Sequence, residues 1–475
     1  MTVKKGKNGG HFLVSTQNPP PLNKINDLQG AKSKLSKSSK WGFDEQIAER
    51  YALQFQARKS VLEQFCSLSI DEKKSKKPNR VCVCRRNLRP VFSENRDGKK
   101  IYSMAKPSIY EHKATKNTFY GGLEICGSLY ACPVCAPKIA EIRAIEIRNA
   151  VTQWVKEGGI CLFITLTFPH YASDSMKSSI TALKDALTCF RKGKAYDAIV
   201  ANLGYTGLIR AVELTWGEAN GSHPHIHEIW FVRPVEGFIP ELVGRNTEQF
   251  TSGLLTALFD IHLKPDLFKK WESAVVASGM RAPSYDRGMV IKVAETEEQL
   301  LIRIAEYLAK TGIEKPAWGV DDELTKLHSK RGMPDRFTPF DFLRQQFNVE
   351  LTKGEKYRFR CLFAEYVLAF KGTAKIYWTN GLKAKFVIDE LTDEQIAEEQ
   401  IEAADMLYEI PPPVWVFVIG INDHRAQLLI KVKNEGIDVA KEWLKGLLDE
   451  YYEYIEDPEL LSPDLQRILN YYLNS

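Results

Sequence analysis

The sequence predicts an α+β fold, and three observations carry that prediction. β-branched and aromatic residues on both sides of a turn cluster at 217–221 predict two strands joined as a hairpin. The strongly apolar stretch Ile160–Phe168 predicts a central strand, which Pro169 ends. Segments with helical periodicity flank these strands, and from residue 313 onward they predict a mainly helical region.

The helical and extended segments can be placed along the chain. Before the hairpin, the patterns predict helices at 42–66, 138–157 and 174–191. After it, they predict a mostly helical stretch at 238–280, a strand at 289–293 and a helix at 295–310. The C-terminal region has predicted helices at 338–348, 355–370, 392–408 and 437–456, with strand-like segments at 384–388 and 414–419.

Length and composition point to a globular protein with two or three domains, because the chain has 475 residues and 44% hydrophobic content. The sequence has no run of 18 apolar residues and its first residues are lysine-rich, so neither a transmembrane helix nor a secretory signal is expected. We therefore expect a cytoplasmic protein that does not contact membranes. Nine cysteines, several closely spaced, favour metal binding or reduced thiols over a disulfide framework.

Charge is distributed unevenly around the net value of +5. Residues 1–40 carry eight lysines against one aspartate, and residues 71–116 carry fourteen basic residues against five acidic ones. The basic first third predicts a polyanionic partner. Residues 389–475 carry six basic residues against twenty acidic ones, which predicts little direct DNA contact there. Solvated helix faces are the ordinary explanation for such an acidic end.

These features predict five consecutive regions. They are a disordered basic N-terminus (1–41), a helix with a basic linker (42–79), a cysteine-rich zinc-binding segment (80–137), the domain that carries the histidine hairpin (138–312), and a mainly helical region (313–475) that is acidic from residue 389.

The hairpin predicts a metal site. Alternate residues of a strand share a face, so His225 and His227 point the same way. If the turn centres near Ala219, Glu213 faces His225 across the ladder. Two imidazoles and a carboxylate with open positions suit Mg²⁺ or Mn²⁺ at a phosphoryl centre. His223 is the alternative third ligand, and a surface or core histidine cluster without metal is the competing interpretation.

The cysteines predict a structural zinc site. Cys132 and Cys135 have the spacing at which a tight turn lets two thiolates bind one ion. Cys126 and either Cys84 or Cys82 complete a set of four. A redox pair is the competing interpretation, but no thioredoxin-like βαβ pattern precedes it. The remaining cysteines lie in apolar periodic segments and are expected in the core; they are Cys66, Cys161, Cys189 and Cys361.

The predicted helix at 295–310 carries a candidate nucleophile. Tyr307 and Lys310 lie three residues apart and share a helical face. A cation beside a phenol favours the ionised form, so Lys310 would lower the pKa of Tyr307. A tyrosine near a bound metal can attack phosphorus and form a covalent phosphotyrosine. The sequence contains no Gly-rich loop followed by Lys-Ser/Thr, so ATP-driven unwinding is not expected.

The order of these motifs resembles the HUH endonucleases, and most closely the single-tyrosine rolling-circle replication initiators of bacterial plasmids. The resemblance covers about residues 80–410. The stretches that carry it are 163–170, the histidines at 223–227, Tyr307-Leu-Ala-Lys310, the cysteines at 126–135 with Arg143, and the blocks 370–383 and 392–395.

The resemblance implies an HUH-type antiparallel sheet flanked by helices, which nicks a plasmid double-strand origin. Tyr307 would bond to the 5′ side, and the freed 3′-hydroxyl would prime synthesis by host helicase, DNA polymerase and single-strand binding protein. Some relatives carry a glutamate four residues before the tyrosine, where this chain has Arg303. The basic residues beside the cysteines and on the next helix are the expected DNA contacts; they are Arg85, Arg86 and Arg143.

Two other functions fit the same sequence. An HUH transposase or mobilisation relaxase would use the same chemistry on a different DNA substrate. A non-enzymatic, zinc-bearing DNA-binding regulator would keep the histidines for structural reasons.

Overall fold

The computed structural model describes residues 43–67, 78–94, 100–245, 249–293, 336–398, 401–420 and 422–453. The predicted basic N-terminus and the predicted helix with Arg303, Tyr307 and Lys310 lie outside the described residues. Within the described ranges, no helix combines the length and the apolar character that crossing a membrane requires.

The helices, in chain order, are α1 Phe43–Ser67, α2 Ala136–Lys156, α3 Met176–Phe190, α4 Lys194–Asn202, α5 Ser252–His262, α6 Lys264–Ala277, α7 Tyr285–Gly288, α8 Pro339–Gln345, α9 Lys353–Ala369, α10 Leu382–Lys385, α11 Asp393–Ala397, α12 Pro412–Val418, α13 Arg425–Glu435 and α14 Ile437–Glu453. The strands are β1 Pro90–Glu94, β2 Lys100–Met104, β3 Ser108–His112, β4 Thr118–Gly121, β5 Ile160–Leu166, β6 Tyr205–Gly217, β7 Gly221–Val232, β8 Met289–Val293, β9 Ile376–Trp378 and β10 Ala404–Glu409.

The chain forms two compact units built from interleaved segments. The first unit takes the described residues within 1–55, 83–125 and 398–475, and the second takes those within 56–82 and 126–397. The predicted regions ran consecutively along the chain, whereas each unit returns to distant parts of it. The α+β class, the antiparallel pairing, the cysteine cluster and the helical C-terminal part are confirmed.

The second unit is organised around a five-stranded antiparallel sheet in the order β8-β5-β7-β6-β9. One face of this sheet packs on α2, where Trp154 and Phe231 lie 6.0 Å apart, edge to face. On the opposite face, Trp230 meets Tyr196 of α4 at 6.2 Å. Because both faces are covered, β7 is apolar at nearly every position beyond its histidines.

The first unit contains the sheet β10-β3-β4 and the two-stranded ribbon β1-β2. Its interior holds a polar network in which the buried Arg425 pairs with Asp423 and donates to Gln54 Oε1 at 2.9 Å. Tyr120 donates its hydroxyl to the Arg425 carbonyl at 2.9 Å. Buried donors and acceptors are thus matched, which a buried guanidinium requires.

Three C-terminal predictions were wrong. The predicted strand at 414–419 is part of α12, because Pro412 and Pro413 supply the fixed φ that suits a first helical turn. The predicted strand at 384–388 contains the end of α10. The predicted helix at 392–408 stops at Ala397, and 404–409 pairs with β3 instead. A short apolar run is compatible with both the helical and the strand periodicity, and contacts with the rest of the fold decide which one forms.

Candidate functional site

The β6–β7 hairpin positions the candidate metal-binding residues. Its register places Glu213 opposite His225, which confirms the predicted pairing, and its strands meet at Gly217 and Gly221. Gly221 has φ +71, a left-handed conformation that favours glycine. The neighbouring β5 places Thr165 opposite His227. Ligand atoms of Glu213, His225 and His227 all lie within 4.8 Å of one another.

The distances show a carboxylate shared by two imidazoles. Glu213 Oε2 lies 2.7 Å from His225 Nε2 and 3.3 Å from His227 Nε2. The side chain of Glu213 is 5% exposed, that of His225 is 10% exposed and that of His227 is 19% exposed. The cluster is therefore buried at the carboxylate and opens toward His227.

Each imidazole is oriented through its other nitrogen. His225 Nδ1 lies 3.2 Å from the His223 carbonyl oxygen, so this nitrogen carries the proton and donates. His227 Nδ1 lies 3.1 Å from Thr165 Oγ1. Both Nε2 atoms are thus turned toward Glu213. Metal-ligating histidines in proteins usually have such a partner on the second nitrogen.

The electrostatics keep Glu213 ionised. Burial alone would raise the pKa of its carboxyl, but the imidazoles of His227 and His225 outweigh burial and hold the pKa well below its usual range. A buried carboxylate between two Nε2 atoms is a donor set that fits a divalent cation. Mg²⁺ or Mn²⁺ could bind there with positions left for water and phosphate oxygen.

His223, the alternative third ligand, is not part of this cluster. Its ring stacks on His170 with centroids 4.6 Å apart and planes 24° apart. Burial, with help from His225, His170 and Arg336, lowers the pKa of His223 to about 3. Among the described residues, the geometry therefore selects Glu213 over His223.

Sequence reasoning assigned no role to Lys375, which precedes β9. Its carbonyl accepts from Val212 N at 3.1 Å, next to Glu213 in β6. Burial lowers the pKa of this half-buried lysine to about 8, although the Glu213 carboxylate favours its charged form. Lys375 lies more than 150 residues from Glu213 in sequence, so no spacing pattern could connect the two.

The cysteine cluster is compatible with zinc. Sγ atoms of Cys84, Cys126, Cys132 and Cys135 lie within 4.8 Å of one another, and all four residues are buried. Cys126 Sγ and Cys135 Sγ are 3.8 Å apart. That separation matches the edge of a sulfur tetrahedron around zinc, about 3.8 Å for Zn–S bonds near 2.3 Å. Cys82 is outside the cluster, and burial raises the pKa of its thiol to about 11.

The prediction that the other cysteines lie in the core holds for one of them. Cys161 in β5 is buried, whereas Cys66, Cys189 and Cys361 are exposed. All three exposed thiols lie on helices, where a segment with apolar periodicity also has an outer face.

The three arginines expected to contact DNA are buried. Arg85 donates to the Tyr120 carbonyl at 3.0 Å, and Arg86 pairs with Asp423 at 3.1 Å. Arg143 pairs with Glu146 and Asp393, each at 2.8 Å. The structure corrects this expectation: these guanidiniums hold protein groups, and phosphate contact would leave buried carboxylates and carbonyls without them.

The ion pair between Arg143 and Asp393 also connects two distant segments of the chain. It joins the helix after the cysteines to the segment 392–395, and Arg80 pairs with Glu394 of the same segment at 2.7 Å. Two of the separate blocks that carried the family resemblance therefore touch in the second unit.

Comparisons with known proteins agree with the resemblance. Residues 124–238, which include three of the clustered cysteines and the whole hairpin, match the family model described as Replication protein. "Protein rep" from Streptomyces lividans is 28% identical over 327 residues, covering 60% of this chain and 68% of that protein. "Neomycin resistance protein" from Streptomyces cyanogenus is 34% identical over 135 residues, covering 23% of this chain and 31% of that protein. No solved structure matches the chain.

The matched region is thus the part of the chain that builds both clusters apart from Cys84. Through this region the chain is similar to the replication protein family, in agreement with its resemblance to rolling-circle replication initiators.

Proposed function

We propose that this protein is a plasmid rolling-circle replication initiator that nicks one strand of origin DNA through Tyr307. The observation that supports this most directly is the buried Glu213 carboxylate 2.7 Å and 3.3 Å from the Nε2 atoms of two oriented histidines. Such a set on a covered sheet costs stability through desolvation, and binding a divalent cation offsets that cost.

The reaction needs one nucleophile and one leaving group. The Tyr307 oxygen attacks phosphorus, the bond from phosphorus to the 3′-oxygen breaks, and its electron pair stays on that oxygen. The phenol proton passes to water while the Lys310 ammonium stabilises the phenolate, and the 3′-oxygen takes up a proton from water to become the primer hydroxyl. When bound by Glu213, His225 and His227, Mg²⁺ or Mn²⁺ supplies Lewis acidity to a phosphodiester oxygen.

The products explain the rest of the cycle. A 5′-phosphotyrosine conserves the energy of the phosphodiester, so the strand can later be rejoined by the reverse attack of a 3′-hydroxyl. The DNA must be single-stranded at the nick for the phosphate to reach the site. Host helicase, DNA polymerase and single-strand binding protein would supply unwinding, synthesis and strand protection.

The test uses a labelled single-stranded oligonucleotide that covers the plasmid origin. Full-length protein is incubated with Mn²⁺, Mg²⁺ or EDTA, and covalent adducts are measured on a denaturing gel. We expect a metal-dependent adduct that Tyr307→Phe abolishes. Tyr285→Phe is the matched control, because Tyr285 is 42% exposed and burial together with Asp260 and Asp286 raises its pKa, which disfavours the phenolate.

The outcomes separate the alternatives. Duplex binding without any adduct would support the zinc-bearing regulator and contradict the nickase. Adducts formed on the ends of a mobile element, and none on the plasmid origin, would favour a transposase or relaxase. An adduct that survives Tyr307→Phe and disappears with Tyr285→Phe would move the nucleophile to Tyr285.

A further inference from the structure

A row of rings leads away from the Glu213 cluster. The ring of His223 lies 5.1 Å from that of His225, and His170 stacks on His223 at 4.6 Å. His170 Nδ1 lies 2.9 Å from the Asn220 carbonyl, which fixes the ring to the hairpin turn. The loop after β5 is therefore held against the end of the hairpin.

The next residue in that loop, Tyr171, carries a cation on its ring. The Arg281 guanidinium carbon lies 3.7 Å from the ring centroid, and Tyr171 is 43% exposed. The loop backbone is ordered by Tyr171 N donating to Asp174 Oδ2 at 2.8 Å. A Cβ at Gly221 would lie 2.8 Å from Ala172 Cα, so loop and hairpin are in close contact.

Three exposed arginines belong to segments that lie near these rings. Arg281, Arg287 and Arg336 are all exposed. The Arg287 carbonyl accepts from Thr167 Oγ1 at 2.9 Å, at the end of β5, and Arg336 is close enough to His223 to influence it electrostatically. An exposed aromatic ring among arginines beside a phosphodiester site is the composition of a surface for single-stranded nucleic acid.

We propose that Tyr171 and Arg281 form a stacking subsite that holds one unpaired base of the DNA strand whose phosphate enters the Glu213 cluster. A phenol ring and a guanidinium plane both stack on bases, and the 3.7 Å contact keeps the two together before DNA arrives. A base within a duplex has both faces covered by its neighbours, so the subsite selects single strands. This inference rests on the proposed function, because it assigns the strand to the nicking site.

The experiment measures binding without cleavage. Full-length, zinc-loaded protein in buffer without added Mg²⁺ or Mn²⁺ is titrated into a fluorescein-labelled oligothymidylate, and anisotropy gives the dissociation constant. We expect Tyr171→Ala and Arg281→Ala each to weaken binding about tenfold, the scale of one stacked base. Tyr171→Phe should bind like wild type. Arg281→Lys should remain weak, because it keeps the charge and loses the plane.

The chain offers a matched control. Arg210, which is half-buried, lies 4.7 Å from the ring of the exposed Tyr377, and the pair is on the sheet face opposite Glu213. Tyr377→Ala should leave oligothymidylate binding unchanged. Thermal unfolding of every variant identifies any loss that arises from misfolding, and Tyr171→Phe keeps the test valid if Tyr171→Ala is unstable.

The outcomes are distinct. Wild-type affinity in a folded Tyr171→Ala variant would overturn the subsite. Equal weakening for duplex and single-stranded probes, with full rescue by Arg281→Lys, would also overturn it, since that pattern is electrostatic. If Tyr307→Phe leaves adduct formation intact while Tyr171→Ala weakens binding, the nucleophile assignment fails and the stacking subsite stands.

Discussion

The two ligand clusters of this protein differ in donors, exposure and the length of chain that builds them. Glu213, His225 and His227 come from one hairpin, and the side chain of His227 is 19% exposed. The cysteine cluster draws Cys84 from 42 residues before Cys126, and all four thiols are buried. A carboxylate and two imidazoles with an opening suit a metal that also binds water or phosphate oxygen, whereas four buried sulfurs suit a closed structural site. Donor type and access thus indicate different roles for two clusters within one chain.

We expect the largest effect when the cysteine cluster, the proposed structural site, is disrupted. Cys132→Ser removes one thiolate from a closed zinc site, and we expect the free energy of unfolding to fall by more than about 4 kcal/mol. Zinc content by atomic absorption and thermal unfolding by circular dichroism would check this. Cys189→Ser is the control, since Cys189 is exposed. Unchanged unfolding in a zinc-free Cys132→Ser protein would contradict the structural role.

We expect the second largest effect when the hairpin cluster, the proposed site of chemistry, loses its carboxylate. Glu213→Gln keeps the shape of the side chain but removes its charge, so we expect adduct formation to fall at least about 100-fold. The fold should persist, because the substitution replaces a buried charge with a neutral group. Glu218→Gln, in the exposed hairpin turn, is the control. Wild-type adduct yield from Glu213→Gln at low Mn²⁺ would remove Glu213 from the ligand set.

A smaller effect sharpens the comparison within the hairpin site. Thr165→Val removes the hydroxyl beside His227 Nδ1, and we expect affinity for Mn²⁺ to fall about tenfold while zinc content stays constant. Mn²⁺ titration followed by electron paramagnetic resonance would measure it. Thr167→Val is the control, because the Thr167 hydroxyl donates to a backbone carbonyl. Equal Mn²⁺ affinity in both variants would show that the Thr165 contact does not orient His227.

The smallest expected effect is a difference in how many cysteines react before and after zinc is removed. We expect three cysteines to react rapidly with a thiol reagent in the zinc-loaded protein, namely the exposed Cys66, Cys189 and Cys361. A chelator should add the four clustered thiols. Cys82 and Cys161 should react only after denaturation, because burial raises the pKa of both thiols. Seven fast thiols before chelation would mean that the cluster holds no metal.

Local geometry explains which predictions succeeded. The pairing of Glu213 with His225 followed from a short turn and strand alternation, both of which the sequence states directly. The choice between Cys82 and Cys84 depends on how the chain turns at Arg85, where φ is +54, and spacing alone could not decide it.

Long-range contacts explain which predictions did not succeed. Arg143 was predicted to contact DNA because the sequence does not show that the fold brings Asp393 beside it. In the folded protein, Arg143 pairs with both Glu146 and Asp393. Lys375 reaches the neighbourhood of Glu213 only because β9 adds to the edge of β6. Charge in a sequence shows what a residue can bind, whereas the fold determines what it does bind.

The hairpin also has a consequence for the order in which the protein assembles. Glu213 and His227 are 14 residues apart, so closing the loop between them costs little chain entropy. Hairpins of this kind form within about 1–10 μs, far faster than synthesis of the next residue. A growing chain can therefore bring its three candidate metal ligands together once β7 has left the ribosome. The strands β8 and β9 are then added to a hairpin whose register is already set.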